Sequence, residues 1–318
     1  MNRPSHDEAV RILSGLTGGA EPRLLGQGME GAVYTIDHAR IAKIWVGESE
    51  MSLQQDRTFY DTLAVKSFRF ATPRILEVHL IENRCVTIEQ RLPGTTMSHH
   101  LRSGRITLDR ARSTFVDVLA DLAASGPLPA ARILPAARVL PVMDEHITHY
   151  HAAQNFPEAL GALAQRRVGR FRQVLDSAVE ALDAKVDALR GRLYEIDTGD
   201  RTVIHGDLTL DNILTNDDGA LTAVLDWGFF TTEGDPAFDA AVAASIFDMY
   251  GESALDTELG LYTEIEERLG YSREALLVYR AAYSLITANA YDADGNDGHF
   301  AWCVAALNRP DVARALIG

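Results

Sequence analysis

Cysteine, cationic residues and long apolar runs are all scarce in this sequence, and each shortage excludes a class of protein. Cys85 and Cys303 are the only two cysteines in 318 residues, which is too few for a disulfide framework or a thiolate metal site. No segment approaches the roughly 18 consecutive apolar residues of a membrane span, and the first residues contain no apolar signal segment. We therefore expect a soluble, cytoplasmic protein without a membrane partner.

The shortage of cationic residues gives the chain a strongly negative charge. Lys and Arg number 30 against 45 Asp and Glu, for a formal net charge of −15. A surface of this sign repels phosphate backbones, which argues against a nucleic-acid partner. It would attract a small cationic substrate, although an acidic surface also serves solubility alone. The length and the 47% content of hydrophobic residues indicate a sizeable core and two lobes.

The stretch with the clearest chemical pattern is VIHGDLTLDNIL, residues 203–214. The apolar runs Ile213–Thr215 and Leu221–Leu225 flank the turn residues Asn-Asp-Asp-Gly at 216–219. Short apolar runs on either side of such a turn predict a β-hairpin. This hairpin would follow a loop that is rich in His and Asp.

Three side chains with oxygen atoms are expected to converge at the hairpin, namely Asp207, Asn212 and Asp226. Asn212 and Asp226 offer hard oxygen ligands that suit Mg²⁺, which keeps water ligands and prefers carboxylates together with substrate phosphates. Asp207 then remains to accept a proton from an attacking hydroxyl group. Phosphoryl transfer needs this division of roles, because its catalysis consists mostly of positioning and charge neutralisation.

The pattern His-Gly-Asp-Leu-x-x-x-Asn at 205–212, followed by Asp-Trp-Gly at 226–228, resembles the aminoglycoside phosphotransferase family. Members of that family have a fold related to that of the protein kinases. The resemblance implies an α+β, protein-kinase-like two-lobe fold. Residues 1–92 would form a nucleotide-binding N-lobe of antiparallel sheet with one helix. Residues 93–318 would form a larger, mainly helical C-lobe with the catalytic loop and the acceptor-binding helices.

The same resemblance implies roles for five residues. Asp207 would orient the acceptor hydroxyl group and accept its proton, while Asn212 and Asp226 would bind Mg²⁺. His205 and Asp239 would support the catalytic loop, Asp239 by hydrogen bonds to its backbone. His205 also has the chemistry of a general base, but the position of Asp207 matches that of the base in the family.

A glycine-rich segment precedes these motifs, with Gly26, Gly28 and Gly31 in G-x-G-x-x-G spacing. Alone, this spacing also fits a Rossmann turn. Two β-like runs follow it at 32–36 and 41–46, rather than an amphipathic helix, and this order is that of a kinase glycine loop. By resemblance, the loop would cover the phosphates of the nucleotide and Lys43 would contact them.

In the family an acidic residue on the next helix pairs with this lysine. The sequence predicts that helix over 49–65, and aligning its end with the family pattern selects Asp56. Asp is one methylene shorter than the usual Glu, so Glu48 and Glu50 remain alternatives for pairing with Lys43.

The strand predicted for 85–90 runs into a hinge that Pro93 and Gly94 close. Backbone groups of the hinge would hydrogen-bond the nucleotide base. The hinge residues assigned to nucleotide binding are Glu89, Gln90 and Arg91.

The rest of the chain reads as mostly helical. Residues 127–143 contain four prolines and indicate an irregular connection or two short helices. The predicted helices span 5–14 before the glycine loop and, after the hinge, 107–124, 171–193, a segment from 240, 255–269, 272–291 and 300–317, the last broken at Pro310.

Two loops bear on the acceptor. Only six residues separate Gly228 from Asp235, whereas a protein kinase needs a far longer segment there to dock a peptide, so a small-molecule acceptor is expected. The polar, acidic loop 291–299 is either an acceptor contact or a surface loop without a role.

The function implied by the resemblance is transfer of the γ-phosphoryl group of ATP, or of GTP, to a hydroxyl group of a small molecule. The expected acceptors form two groups: antibiotics of the aminoglycoside, macrolide or nucleoside type, and metabolite alcohols of the choline, homoserine or sugar type. A non-catalytic nucleotide-binding module is the rival, although such a module would be expected to lack Asp207, Asn212 or Asp226. The sequence does not determine the oligomeric state.

Overall fold

The structure, a computed structural model, describes residues 4–17, 21–28, 30–128 and 153–318. The chain divides into two compact units. The first contains the residues up to Thr96 together with Ile213–Leu225, and the second contains Met97–Asn212 and Asp226–Gly318. None of the helices in the described ranges has the length and apolar character needed to cross a membrane.

An antiparallel five-stranded sheet is the centre of the first unit, with the strand order β1-β2-β3-β5-β4. Its inward-facing residues alternate along the strands, as Ala42 and Ile44 do, because side chains in a strand point to opposite faces. The sheet confirms the antiparallel N-terminal arrangement that the sequence predicts. Its strands are β1 (Arg23–Gln27), β2 (Gly31–Thr35), β3 (Arg40–Trp45), β4 (Ile75–Ile81) and β5 (Arg84–Gln90).

Two helices accompany this sheet, α1 (His6–Leu13) and α2 (Glu50–Leu63). Helix α1 begins with a capping box, in which the Ser5 hydroxyl oxygen accepts the Glu8 N–H and the Glu8 carboxylate accepts the Ser5 N–H. This box satisfies two backbone donors that would otherwise lack partners. The buried side of α1 packs into the same apolar cluster as Ala42 and Ile44.

The predicted hairpin is present as β8 (Ile213–Thr215) and β9 (Leu221–Val224), which belong to the first unit. Its turn closes where the Asn216 N–H donates to the Ala220 carbonyl oxygen at 2.9 Å. Strand β6 (Thr95–Thr96) pairs with β8, so the hairpin becomes part of a three-stranded sheet. The second unit contains one two-stranded sheet in the described residues, formed by β7 (Thr202–Ile204) and β10 (Thr232–Gly234).

Helices make up most of the described second unit. All residues of α8 and the whole stretch Ala275–Thr287 of α10 are buried, and these two helices pack against each other as the core of the unit. The helices are α3 (Met97–Arg102), α4 (Leu108–Ala124), α5 (Phe156–Arg170), α6 (Arg172–Ala178), α7 (Leu182–Ile196), α8 (Pro236–Ile246), α9 (Ala254–Leu269), α10 (Arg273–Thr287), α11 (Gly298–Leu307) and α12 (Pro310–Ile317).

The prediction of one continuous helix over 171–193 is wrong. The segment forms α6 and α7, with a break at which Ala181 has a left-handed φ of +49°. The Asn308 side chain explains the break, because it accepts the Glu180 N–H at 2.9 Å and donates to the Ala178 carbonyl oxygen at 2.9 Å. Hydrogen bonds to a distant side chain thus replace the bonds of a continuous helix.

The predicted helices differ from the structure at two further places, and one predicted segment lies mostly outside the described residues. Helix α5 was not predicted, and α8 begins at Pro236 rather than at residue 240, because Asp235 caps it by accepting the Ala237 N–H. The irregular connection predicted for 127–143 lies almost entirely outside the described residues.

Candidate active site

A buried carboxylate holds the loop that precedes Asp207. The two oxygens of Asp239, Oδ2 and Oδ1, accept the backbone N–H groups of His205 at 2.8 Å and Gly206 at 2.9 Å. Asp239 lies in the first turn of α8 and is 2% exposed. Burial raises its pKa to about 6, while the two backbone hydrogen bonds act in the opposite direction. These are the hydrogen bonds that the sequence analysis predicts for Asp239.

Gly206 is required by the geometry of the same loop. Its φ is +73°, and a Cβ atom there would lie 2.5 Å from the carbonyl oxygen of Phe230. Thr231 follows Phe230 and donates its hydroxyl group to the His205 carbonyl oxygen at 2.9 Å. The segment that contains Phe230 therefore runs directly along the catalytic loop.

His205 is buried and links two parts of the loop. Its Nδ1 accepts the backbone N–H of Asp207 at 3.3 Å, and its ring centroid lies 4.6 Å from that of Trp227. A ring nitrogen that accepts a backbone hydrogen bond inside the protein is engaged in structure. This geometry favours the supporting role of His205 over that of a general base.

Asn212 is fixed by the catalytic loop, because its Nδ2 donates to the carbonyl oxygen of Asp207 at 2.8 Å. The pairing of Ile213 with Val224 places the two ends of the hairpin side by side. Asn212 precedes one end, and Asp226 follows the other after a single residue. Asp226 has a left-handed φ of +60°. A non-glycine residue in this region carries a strain of roughly 1 to 3 kcal/mol, and such strain is concentrated at functional sites.

Asn212 and Asp226 carry oxygen atoms of the kind that Mg²⁺ binds. Within the described ranges, no group of three or more His, Cys, Asp or Glu side chains could hold a metal ion. Mg²⁺ does not require such a group, because it binds to one or two protein oxygens together with substrate phosphates and water. The donation from Asn212 Nδ2 leaves the Oδ1 atom of its amide for such a ligand role.

The glycine loop lies in the first unit, between β1 and β2. The Gly28 N–H donates to the Gly31 carbonyl oxygen at 2.9 Å. Gly31 lies against β3, where a Cβ atom would overlap the carbonyl oxygen of Ile44. Gly26 lies at the end of β1, opposite Val33. The glycines therefore form a tight connection between strands, as the sequence analysis expects.

Lys43 lies on β3 and has an acidic partner other than the three that the sequence suggests, Asp56, Glu48 and Glu50. Its Nζ is 2.7 Å from Oε2 of Glu30, within the glycine loop, and 3.5 Å from the centroid of the Trp45 ring. Asp56 is close enough for the charge of Lys43 to lower its pKa. Burial and the charge of Glu48 nevertheless raise that pKa to about 7. The structure gives Asp56 no hydrogen bond or ion pair with Lys43 among the described contacts, so that pairing stays a prediction.

The predicted hinge residues lie at the end of β5. The N–H groups of Gln90 and Arg91 donate to the carbonyl oxygens of Arg74 at 3.0 Å and Ala39 at 2.8 Å. The Glu89 carboxylate accepts the Thr87 hydroxyl group at 2.6 Å. These two N–H groups are therefore occupied within the first unit, and the base-binding role of Glu89, Gln90 and Arg91 stays a prediction.

Two features near the catalytic loop were missed by sequence reasoning. Asp235 is fully buried, and its Oδ2 accepts the Tyr279 hydroxyl group at 3.0 Å and the Thr198 N–H at 3.1 Å. The Asp-Pro pair at the start of α8 was a usable signal for this cap. Phe229 stacks on Tyr291, and no sequence pattern connects two aromatic residues so far apart.

Comparison with known proteins places the chain in a family. The model of the APH phosphotransferase enzyme family matches residues 21–277. No curated protein matches the sequence.

Solved structures with the same fold include three phosphotransferases. The aminoglycoside phosphotransferase APH(3'')-Id from Streptomyces rimosus, in complex with ADP and streptomycin, has 18% identity and a TM-score of 0.53, covering 88% of this chain and 97% of that chain. The macrolide 2'-phosphotransferase MphH from Brachybacterium faecium has 17% identity and a TM-score of 0.53, covering 96% and 99%. The GDP and kanamycin complex of APH(2")-IIIa has 15% identity and a TM-score of 0.56, covering 94% and 97%.

The family match extends from the first strand of the sheet into α10 and includes the predicted catalytic, nucleotide-binding and metal-binding residues. The chain belongs to the APH phosphotransferase enzyme family.

Proposed function

We propose that this protein transfers the γ-phosphoryl group of ATP to a hydroxyl group of a small, antibiotic-like molecule, with Mg²⁺ as the metal ion. GTP is the alternative donor. The observation that carries the proposal is the construction of the catalytic loop. Asp239 fixes the backbone before Asp207, and Asn212 fixes the backbone carbonyl group of Asp207 itself. Such preorganisation is what phosphoryl transfer requires of the protein.

In the proposed reaction, Asp207 orients the acceptor hydroxyl group and accepts its proton. The acceptor oxygen forms a bond to the γ-phosphorus while the bond from that phosphorus to the β,γ-bridging oxygen breaks, and the nucleoside diphosphate leaves. Asn212 and Asp226 would hold the metal ion, which neutralises phosphate charge when it is bound. Lys43 would bind the phosphates in exchange for its ion pair with Glu30.

Nucleotides bound in structures with the same fold support ATP or GTP as the phosphoryl donor. The Streptomyces rimosus enzyme was solved with ADP, and APH(2")-IIIa was solved with GDP. Both complexes are with nucleoside diphosphates, which are the products of phosphoryl transfer from ATP or GTP.

The antibiotics bound in the same structures support an antibiotic as the phosphoryl acceptor. Those two structures contain streptomycin and kanamycin, and a third protein of this fold is a macrolide phosphotransferase. We propose antibiotics of the aminoglycoside, macrolide or nucleoside type as acceptors and the cytoplasm as the site of action. Metabolite alcohols of the choline, homoserine or sugar type are the alternative.

The direct experiment is an acceptor screen with purified protein, Mg²⁺ and either ATP or GTP. The readouts are release of nucleoside diphosphate and an acceptor mass increased by one phosphoryl group. We expect at least one acceptor to be phosphorylated. If no acceptor reacts while the protein still binds nucleotide, the chain is a non-catalytic nucleotide-binding module instead.

A further inference from the structure

A half-buried aromatic ring and an exposed one stack on each other beside the proposed metal-binding motif. Phe229 directly follows Asp226-Trp227-Gly228, and its ring lies parallel to that of Tyr291, with centroids 6.0 Å apart and planes inclined by 12°. Tyr291 is 52% exposed, although its aromatic ring is large and mostly apolar. We call Phe229 and Tyr291 the aromatic platform.

The buried ring of His299 packs against the platform. His299 meets Tyr291 edge-on, with centroids 5.0 Å apart and planes inclined by 85°. Burial lowers the pKa of His299 to about 4, so this ring is neutral at physiological pH. The platform therefore packs against an uncharged, buried neighbour.

The platform also lies beside the catalytic loop. Phe230, the next residue after Phe229, packs against Gly206, which immediately precedes Asp207. Tyr291 is also close enough to Asp207 to be affected by its charge. Burial, followed by this charge, raises the pKa of the Tyr291 hydroxyl group to about 12. A molecule that covers the platform would thus lie next to the proposed base.

A carboxylate with an unused oxygen lies in the same region. Asp297 caps α11 through Oδ1, which accepts the Phe300 N–H at 2.6 Å. Its Oδ2 is buried and has no hydrogen-bond partner among the described residues. Asp297 is two residues from His299, which contacts the platform. Leaving a buried carboxylate oxygen unpaired is unfavourable, and a cation would relieve that cost.

From this geometry we propose an acceptor subsite in which the aromatic platform binds the apolar face of a ring of the acceptor and the negative charge of Asp297 attracts an ammonium group of the same molecule. The inference rests on the proposed function and deepens it by naming the acceptor class. That class comprises hydroxyl compounds with one amine-bearing ring and an extended apolar face. Aromatic faces attract both apolar ring faces and cations, which suits such a molecule better than a polar polycation.

The test uses the full-length protein and two probes, a macrolide that carries one dimethylamino sugar and the polycation kanamycin. Binding is measured by calorimetry without nucleotide, and phosphorylation is measured separately by diphosphate release. We expect the macrolide to bind more tightly than kanamycin.

The variants distinguish three contributions to acceptor binding: the aromatic rings, the Tyr291 hydroxyl group and the charge of Asp297. Tyr291→Ala and Phe229→Ala should each weaken macrolide binding by about tenfold or more, whereas Tyr291→Phe should stay within about twofold because the ring remains. Asp297→Asn keeps an oxygen for the Phe300 N–H and should weaken binding of the amine. Tyr194→Ala, which removes another exposed tyrosine from α7, is the matched control and should not change binding.

Nucleotide affinity separates this inference from the proposed function. All platform variants should bind ATP as the wild type does. Unchanged macrolide affinity in Tyr291→Ala and Phe229→Ala would overturn the subsite, as would failure of the wild type to bind the macrolide. Binding that follows the predicted order without phosphorylation would support the subsite and count against the proposed reaction.

Discussion

Single residues determine how the candidate catalytic loop is held. Asp239 is a buried acid with two backbone N–H partners. Asp235, four residues earlier in the chain, is a second buried acid, and it caps α8. A buried carboxylate is stable when each oxygen is hydrogen-bonded, and replacing one oxygen leaves a backbone donor without a partner.

Asp239→Asn is expected to lower both stability and turnover. The amide nitrogen would face one of the two N–H groups and could not accept its hydrogen bond. We expect the free energy of unfolding to fall by about 1 to 3 kcal/mol and kcat to fall because the loop before Asp207 loosens. Urea titration and steady-state kinetics measure these effects. Asp256→Asn, an exposed acid in the first turn of α9, is the control; equal effects in both variants would refute the special role of Asp239.

Glu30 is expected to compete with the nucleotide for Lys43. The 2.7 Å ion pair must open before phosphate oxygens can take its place, and Glu30 is mostly exposed. An exposed ion pair has a small interaction free energy, so only a small cost disappears when it is removed. Glu30→Gln should therefore lower the KM for nucleotide by about two- to fivefold. Glu21→Gln serves as the exposed control. A raised KM in Glu30→Gln would mean that Glu30 assists nucleotide binding instead.

Asp56 gives the stability a pH dependence of defined sign. Burial, followed by the charge of Glu48, raises the pKa of its carboxyl group from 3.8 to about 7. Because the folded chain holds a proton that the unfolded chain has lost, the contribution of Asp56 to the free energy of unfolding falls as the pH rises through this window. Asp56→Asn removes that fall. In urea titrations the variant should become progressively more stable than the wild type from about pH 4 to pH 7; a difference that shrinks with rising pH would contradict the assignment.

Among the elements, those defined by local sequence were predictable. The capping box of Ser5 and Glu8, the Thr107 cap of α4 and the hairpin turn at 216–219 all depend on residues within a few positions of one another. The break between α6 and α7 was not predictable, because its cause is Asn308, more than a hundred residues away in the sequence. The pairing of Lys43 with Glu30 was missed for a related reason, since it depends on how the glycine loop folds over β3.

Asn308→Ala should destabilise the junction of α6 and α7. The variant loses the bond to the Glu180 N–H and the bond from its own amide to the Ala178 carbonyl oxygen. We expect the free energy of unfolding to fall by about 1 to 3 kcal/mol. Hydrogen exchange should become faster at residues 178–181 before it changes elsewhere. Unaltered exchange there would show that the break does not depend on Asn308.

At the scale of the whole molecule, the chain keeps the fold of its family at low sequence identity. Proteins of 15 to 18% identity share the fold over 88 to 96% of this chain. The hairpin after Asn212 belongs to the first unit although the chain on either side belongs to the second. The short sequence motifs identified the family and its reaction class because their spacing is set by the chemistry. They carry little information on the acceptor, because the side chains proposed to bind it, such as Phe229 and Tyr291, come together only in the fold.

The proposed reaction depends on Asp207, which accepts the proton of the hydroxyl group that receives the phosphoryl group. Its most direct test is the rate of nucleoside diphosphate release by Asp207→Asn at saturating acceptor, measured together with the Kd for nucleotide. We expect a rate lower by about 100-fold or more and a Kd within about twofold of the wild-type value. Turnover of the acceptor by Asp207→Asn at the wild-type rate would contradict it.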